Sequence, residues 1–260
     1  MKVAILAGGL GTRISKETAT KPKAMVKIGN EPILWHIMNY YAHFGFTEFV
    51  IALGYKGECI KKWMTKKAKN TEIKNIQLMG TNATEYSIKN ETTPDLTVHL
   101  VETGQNTPAS GRIKRLSPFL GNQTFMLTYC DGLADVDLKA LKEFHESHGK
   151  LATVIAVKAP SRFGHLFLED DTVVEFQEKP ILKWINGAFF VLNPEVIKYI
   201  EDDNTDWEKE ALPKLASDKQ LMAFRHEGFW QCMDTLKEKL MLEKIWQSGS
   251  APWKTGNQEA

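Results

Sequence analysis

Cysteine is scarce in this chain of 260 residues: Cys59, Cys130 and Cys232 stand far apart, with no CxxC pair among them. An odd number at such spacing argues against a disulfide framework or a zinc site and for reduced thiols in a cytoplasmic setting. No apolar run approaches the about 20 residues needed to cross a bilayer, and residues 1–7 are too short for a secretory signal. Neither sign of charge is in excess, since 33 Lys and Arg face 32 Asp and Glu for a formal net charge of +1. That balance gives no support for nucleic acid or an anionic membrane as a partner, although a local basic cleft stays open. Internal repeats are missing, and so is any Pro-, Gly- or Ser-rich linker that would divide the chain. No Ser/His/Asp or Cys/His arrangement suggests nucleophilic catalysis. His36, His43, His145 and His148 fall in helical segments and read as structural or surface residues.

What is present is an alternation of apolar strands with amphipathic helices. Residues 2–6, 49–53, 97–101, 125–129 and 152–157 read as buried strands. Pro32 opens a helix with Ile33, Leu34, Ile37, Met38 and Tyr41 on one stripe, and a short helix follows near residues 59–64. Asp137 caps another helix that carries Leu138, Leu141, Phe144 and His145 on one face. This rhythm predicts an α/β fold built from parallel βαβ units. Residues 65–95 interrupt it as an insertion of loops or short antiparallel strands, and Lys66, Lys67 and Lys69 in it read as a solvated face. Residues 103–112 read as a loop closing on Gly111-Arg112-Ile113-Lys114-Arg115. Beyond about residue 160 the texture changes to a hairpin turning at Glu169-Asp170-Asp171, further short strands and a C-terminal helix. The expected organisation is one domain over 1–260. Residues 1–159 would form a nucleotide-binding lobe and residues 160–260 a smaller acceptor-binding lobe with the last helix.

The chemistry concentrates in a few places. Leu6-Ala7-Gly8-Gly9-Leu10-Gly11-Thr12-Arg13 follows the first strand, with Lys21-Pro22-Lys23 downstream. Ile14 stands where a dinucleotide fingerprint needs its third glycine, and no Gly-Lys-Ser/Thr completes a Walker loop. A tight turn or a cradle of backbone N–H groups for a polyphosphate both fit, and Arg13 and Lys23 favour the cradle. Asp131 ends a central strand, where open α/β sheets bind ligands. Asp131 and Asp234 together suit Mg²⁺ in a phosphoryl or nucleotidyl transfer, while Asp234 equally suits a helix N-cap. Cys130 and Cys232 beside them read as small fillers, because thiolates suit softer metals. Lys179, held by Pro180, is a candidate anchor for a second phosphate or an exposed turn lysine.

Taken together these motifs resemble the sugar-phosphate nucleotidyltransferases, whose start motif reads Gly-Gly-x-Gly-Thr-Arg with Lys-Pro-Lys after it. Within them the chain is similar to the glucose-1-phosphate cytidylyltransferase subfamily. The supporting stretches include Gly54-Tyr55-Lys56-Gly57, Asp131-Gly132-Leu133-Ala134-Asp135, Phe176-Gln177-Glu178-Lys179-Pro180, Ile185-Asn186-Gly187 and Ala251-Pro252-Trp253-Lys254-Thr255. The resemblance implies a Rossmann-like nucleotidyltransferase fold with a mixed, mostly parallel sheet flanked by helices and a smaller antiparallel acceptor-side lobe. It implies magnesium-dependent transfer of CMP from CTP to a phosphorylated acceptor, glucose 1-phosphate first among them, for surface polysaccharide biosynthesis. By the same resemblance Arg13 and Lys23 are catalytic, and Leu6, Ala7, Gly8, Gly9, Gly11, Thr12, Arg13, Lys23, Thr103, Arg112 and Asp131 bind the nucleotide. Lys179, Glu178, Asn186, Gly187, His165 and Ala188 bind the acceptor, and Asp131 and Asp234 hold Mg²⁺. It also implies a homo-oligomer, often a hexamer, with 65–95 as a contact element. The chain departs from the pattern at Ala24, Ala109, Cys130, His165, Ala188 and Cys232, and in a shorter segment between Pro180 and Asn186. The acceptor half departs most, so a different, even non-sugar, phosphorylated acceptor is the alternative expectation. A non-catalytic nucleotide-binding homologue is the competing class.

Overall fold

The computed structural model describes residues 1–9, 11, 14–69, 71, 73–89, 94–158, 164–178 and 183–254. In chain order the elements begin β1 (Val3–Leu6), α1 (Ser15–Thr18), β2 (Lys27–Ile28), β3 (Glu31–Pro32), α2 (Ile33–His43), β4 (Glu48–Leu53) and α3 (Gly57–Lys67). Next come β5 (Ile73–Leu78), β6 (Thr81–Ile88), β7 (Leu96–Glu102), α4 (Ala109–Leu120), β8 (Phe125–Tyr129), β9 (Gly132–Ala134), α5 (Leu138–His148) and β10 (Ala152–Lys158). The chain continues through β11 (His165–Glu169), β12 (Thr172–Gln177), β13 (Trp184–Leu192), α6 (Leu212–Ser217), β14 (Leu221–His226), β15 (Trp230–Cys232) and α7 (Leu236–Gln247).

Nine strands make the main sheet in the order β14-β10-β13-β8-β1-β4-β7-β6-β5. Its centre, β8-β1-β4-β7, is parallel, as the βαβ rhythm requires. β1 explains why these strands read as continuous apolar runs. Val3 and Ile5 face one buried layer and Ala4 and Leu6 the other, because successive side chains alternate across a strand. The first layer takes Ile33, Leu34, Ile37 and Met38 of α2, Leu138 and Leu141 of α5 and Leu242 of α7. The second takes Ile113, Leu116 and Phe119 of α4 together with Trp207 and Leu215.

The insertion at 65–95 contains two antiparallel strands, β5 and β6, which extend the parallel centre at one edge. Lys67 in it is less idle than a solvated face: it pairs with Glu31 at 2.5 Å and lies over the Trp35 ring. β13 and β14, from the later part of the chain, lie inside the main sheet, with β13 antiparallel between β8 and β10. The β11–β12 hairpin forms a separate two-stranded sheet.

One expectation needs correcting. Residues 109–115 are not the end of a loop but the first turns of α4, which runs to Leu120. Gly111 and Pro118 hide this helix from a propensity reading, and the burial of Ile113, Leu116, Phe119 and Leu120 overrides them. Pro118 cannot donate to the Lys114 carbonyl, and the Ser117 hydroxyl does so instead at 2.7 Å.

Candidate active site

The parallel strands open at their C-terminal ends onto a cleft of about 490 Å³, the usual ligand position in an open α/β sheet. Leu6, Gly8, Gly9 and Gly11 line one wall. Residues 105–109 and Arg112 line another, and Lys23, Tyr129, Cys130, Asp131, Glu208 and Asp234 complete it. Thr12, Arg13 and Lys179 lie outside the described residues. Ala7 is buried, with its N–H donated to the Ala52 carbonyl, so it supports the wall from behind.

Lys23, Asp131 and Asp234 converge at one point. The Lys23 ammonium donates to Asp131 Oδ2 at 2.7 Å and to Asp234 Oδ1 at 2.6 Å. Burial alone would lower the Lys23 pKa, but the two carboxylates outweigh it and hold the ammonium well above its ordinary value. The meeting has a backbone cause. β9 and β15 pair antiparallel, Cys232 opposite Gly132, and the ladder ends with the Met233 N–H donating to the Asp131 carbonyl at 2.8 Å. The next residue, Asp234, therefore emerges beside Asp131.

Asp234 is not the helix cap that its position allowed. Thr235 caps α7, and Glu238 answers with bonds to the N–H groups of Asp234 and Thr235, both at 2.7 Å. With the cap supplied by Thr235, the Asp234 carboxylate lines the cleft and accepts from Lys23. Thr235→Ala should cost about 1 kcal/mol of stability, read as a lower urea midpoint.

Two carboxylates closing on one cation, with hard oxygen donors and open cleft on the far side, fit a Mg²⁺ ion that takes its other ligands from phosphate and water. Asp131 and Asp234 are the residues that would hold it. Among the described residues no group of three or more His, Cys, Asp or Glu gathers to hold a metal, here or elsewhere, so phosphate and water would have to complete the ligand set. The neighbouring thiols do not compete. Burial pushes Cys130 up to about 12 and Cys232 up to about 11, so both stay protonated at neutral pH.

Arg112, expected among the nucleotide-binding residues, lines the cleft with its guanidinium engaged by the protein itself. It is 5% exposed, and its guanidinium donates to the carbonyls of Gly8 (3.0 Å), Leu53 (2.8 Å), Gly104 (2.8 Å) and Gln105 (3.2 Å) and to the Thr103 hydroxyl (2.7 Å). One side chain thus ties the glycine loop, the end of β4 and the loop after β7 into a single wall. Gly8 has to be glycine for this reason, since a Cβ there would lie 2.2 Å from the Arg112 guanidinium. Thr103 is fully buried and donates to the Leu53 carbonyl at 2.6 Å, so it braces Arg112 and lies behind the cleft. At Gly9 nothing lies within 4 Å of a built Cβ, and the backbone there is open to a ligand.

The first turn of α4 adds unspent N–H donors. Ala109 opens the helix and lines the cleft, and its N-cap, Pro108, makes no side-chain cap bond. A helix start left uncapped beside a cleft favours an anion. Sequence reasoning also missed Tyr129 and Glu208, whose side chains are hydrogen-bonded to each other in the cleft wall. Tyr129 directly precedes Cys130-Asp131 and was legible from that adjacency. Glu208 comes from the single π turn Trp207–Ala211, which periodicity does not reveal.

None of the described acceptor residues lines this cleft. Asn186, Gly187 and Ala188 form an irregular stretch of β13 where the register against β10 breaks between Val154 and Ala156. Gly187 is needed there because a Cβ would lie 2.6 Å from Ile155 Cγ1. Ala188 adopts a left-handed φ of 62°, held by its N–H donating to Asn186 Oδ1 at 2.8 Å, a conformation that costs a non-glycine residue about 1–2 kcal/mol. Gly187 accepts from Trp230 Nε1 at 2.9 Å, which ties this stretch to β15 and so toward Asp234. His165 starts β11 opposite Gln177, and Glu178 follows β12.

Similarity to known proteins agrees with this geometry. The nucleotidyl transferase family model matches residues 2–238. The chain belongs to the nucleotidyl transferase family. A glucose-1-phosphate cytidylyltransferase of Salmonella typhi is 47% identical over 258 residues, spanning 98% of this chain and 99% of the relative. A mannose-1-phosphate guanyltransferase of Saccharomyces cerevisiae is 34% identical over 248 residues, 92% of this chain and 63% of the relative. Among solved structures, a UDP-glucose pyrophosphorylase complexed with UDP-glucose superposes with a TM-score of 0.67 at 16% identity, covering 95% of this chain and 98% of that one. HddC of Yersinia pseudotuberculosis gives 0.66 at 22% identity, with 94% and 99% covered. These structures share the family's fold.

Proposed function

We propose that this chain is a glucose-1-phosphate cytidylyltransferase: CTP and glucose 1-phosphate give CDP-glucose and pyrophosphate. The observation that carries the reading is the convergence of Lys23, Asp131 and Asp234 beside a glycine loop at the mouth of the parallel strands. The full-length 47% identity to a cytidylyltransferase of that specificity supports it. An acceptor phosphate oxygen attacks the α-phosphorus of CTP, the bond to the bridging β-phosphate oxygen breaks, and pyrophosphate departs with that electron pair. No covalent intermediate is needed, so the protein contributes positioning and charge. The open backbone around Gly9 and the start of α4 receive the nucleotide, Arg112 keeps those two walls in register, and Lys23 meets the negative charge that grows on pyrophosphate. Asp131 and Asp234 would hold Mg²⁺, which when bound would neutralise phosphate charge. The acceptor binds toward Asn186, Gly187 and Ala188, with Glu178 and His165 on the acceptor side and Lys179 as the lysine expected to take its phosphate.

The test is pyrophosphate release with CTP, UTP and dTTP across a panel of phosphorylated acceptors at millimolar Mg²⁺. Release with CTP and glucose 1-phosphate is expected. Release with CTP and another acceptor alone would move the reading to the alternative substrate, and none with any acceptor would end it.

We further propose a cytoplasmic homo-oligomer, with a hexamer as the expected state. Among the described residues, no helix is long and apolar enough to cross a membrane. The β11–β12 hairpin leaves Leu166 (55% exposed), Leu168 (57%) and Phe176 (59%) in solvent, a grouping that monomers rarely tolerate. A second copy covering it predicts a multimeric mass by light scattering and a smaller one for L166S/L168S/F176S. A monomeric wild type would end this assignment.

A further inference from the structure

The arrangement around Lys23 raises a question that the transfer reaction does not answer. Its ammonium stands within hydrogen-bond distance of both carboxylates that would take a divalent cation. All three side chains are sheltered, with Lys23 11% exposed, Asp234 15% and Asp131 26%. Both carboxylates project from an anchored backbone. The backbone of Asp131 is fixed by the β9–β15 ladder and that of Asp234 by the Glu238 carboxylate. Lys23 in turn hangs from the short 3-10 turn Lys23–Met25, so its ammonium reaches both partners from a fixed base.

We propose that Lys23 is a stand-in cation: it occupies the two-carboxylate site of the free protein, competes there with a divalent metal, and surrenders it readily once a triphosphate offers the ammonium other oxygens. The proposal rests on the nucleotidyl transfer reading for the identity of that triphosphate. Its physical basis is local. An ammonium and a Mg²⁺ ion cannot both sit between the same carboxylate oxygens, because Mg²⁺ demands close octahedral contacts and like charges at that separation repel strongly in a sheltered site. With Lys23 in place the three side chains sum to a charge of −1, against −2 for the bare carboxylate pair, and the attraction for free metal falls accordingly. A triphosphate reverses the balance. It gives Lys23 new anionic partners on the cleft side and completes the metal's ligand set at the same moment. Metal and nucleotide therefore bind as a coupled pair, and metal alone binds poorly.

The deciding experiment measures Mn²⁺ binding to the free protein, without nucleotide or acceptor, by the loss of the free-ion spin-resonance signal. Wild type is expected to bind weakly and Lys23→Met at least about tenfold more tightly, a change of about 1.4 kcal/mol. Adding Asp131→Asn to Lys23→Met should remove the gain, which places the ion at this site. Equal or weaker binding by Lys23→Met would overturn the proposal. Displacement is separated from simple charge repulsion by a second readout on wild type, the acylation rate of Lys23 followed by mass spectrometry. Saturating Mn²⁺ is expected to speed acylation severalfold as the ammonium leaves its carboxylates; an unchanged rate would overturn displacement even if Lys23→Met failed to fold. None of these measurements uses CTP turnover, so failure of the cytidylyltransferase reading would show separately, in the pyrophosphate assay.

Discussion

Asp131→Asn should lower kcat for pyrophosphate release by at least about 10²–10³-fold, the loss that follows removal of one preorganised charge-stabilising group. The amide keeps the shape of the carboxylate and one oxygen, so the β9–β15 ladder and the Asp131 backbone contact to Met233 are unaffected. What disappears is a negative charge at the point where Asp131 and Asp234 meet. Lys23 then keeps one anionic partner of two, and the metal would have a single carboxylate. The variant should also need much more Mg²⁺ to reach half of its residual rate. The check is a Mg²⁺ titration of initial rates alongside a circular-dichroism melt. Near-normal turnover in a folded variant would mean that the chemistry happens elsewhere.

Arg112→Met should be destructive for a different reason. The methionine fills much of the same volume but donates nothing. The wall would lose guanidinium bonds to four carbonyls and a hydroxyl, several of them in buried surroundings. Each orphaned buried acceptor costs about 1–3 kcal/mol. Gly8 and Leu53 keep other backbone partners, donated by Tyr55 and Thr103. A net loss of about 3 kcal/mol or more is the expected outcome, read by urea unfolding. Nucleotide affinity should fall with it, because the glycine loop and the start of α4 are no longer held in register. Arg112→Lys should rescue little, since an ammonium cannot reproduce a planar fork serving three loops at once. Full stability in Arg112→Lys would show that charge and not geometry is what the wall needs.

These two residues mark how far the sequence could be read. Asp131 was legible because its position follows from one local fact, an apolar run ending at Tyr129 in a chain of βαβ rhythm. Lys23 and the glycine loop were legible for the same kind of reason. Arg112 was visible as a charge in a motif, but its partners come from three separate loops that only the folded sheet brings together. The apparent loop before it was a helix because burial on one face outweighed Gly111 and Pro118. Asp234 was ambiguous until the capping role passed to Thr235, although Thr235-Leu236-Lys237-Glu238 carries the capping-box spacing. The antiparallel character of 65–95 and of the hairpin near 169–171 was readable from polar, turn-rich segments. The place of β13 inside the main sheet was not, because strand order is a long-range property that periodicity does not encode.

The short β9–β15 ladder also bears on how the protein comes to life. It joins a strand from the middle of the chain to one near its end, closing a large loop whose entropy must be spent before the contact is rewarded. The nine-stranded sheet requires the chain only as far as β14. The hydrogen-bonded ladder of that sheet is therefore complete upstream of Asp234, although Met233 and Leu242 still have to join the layer packed on it. The two-carboxylate site is thus closed by the last strand alone: Asp234 meets Lys23 and Asp131 only once β15 has docked on β9.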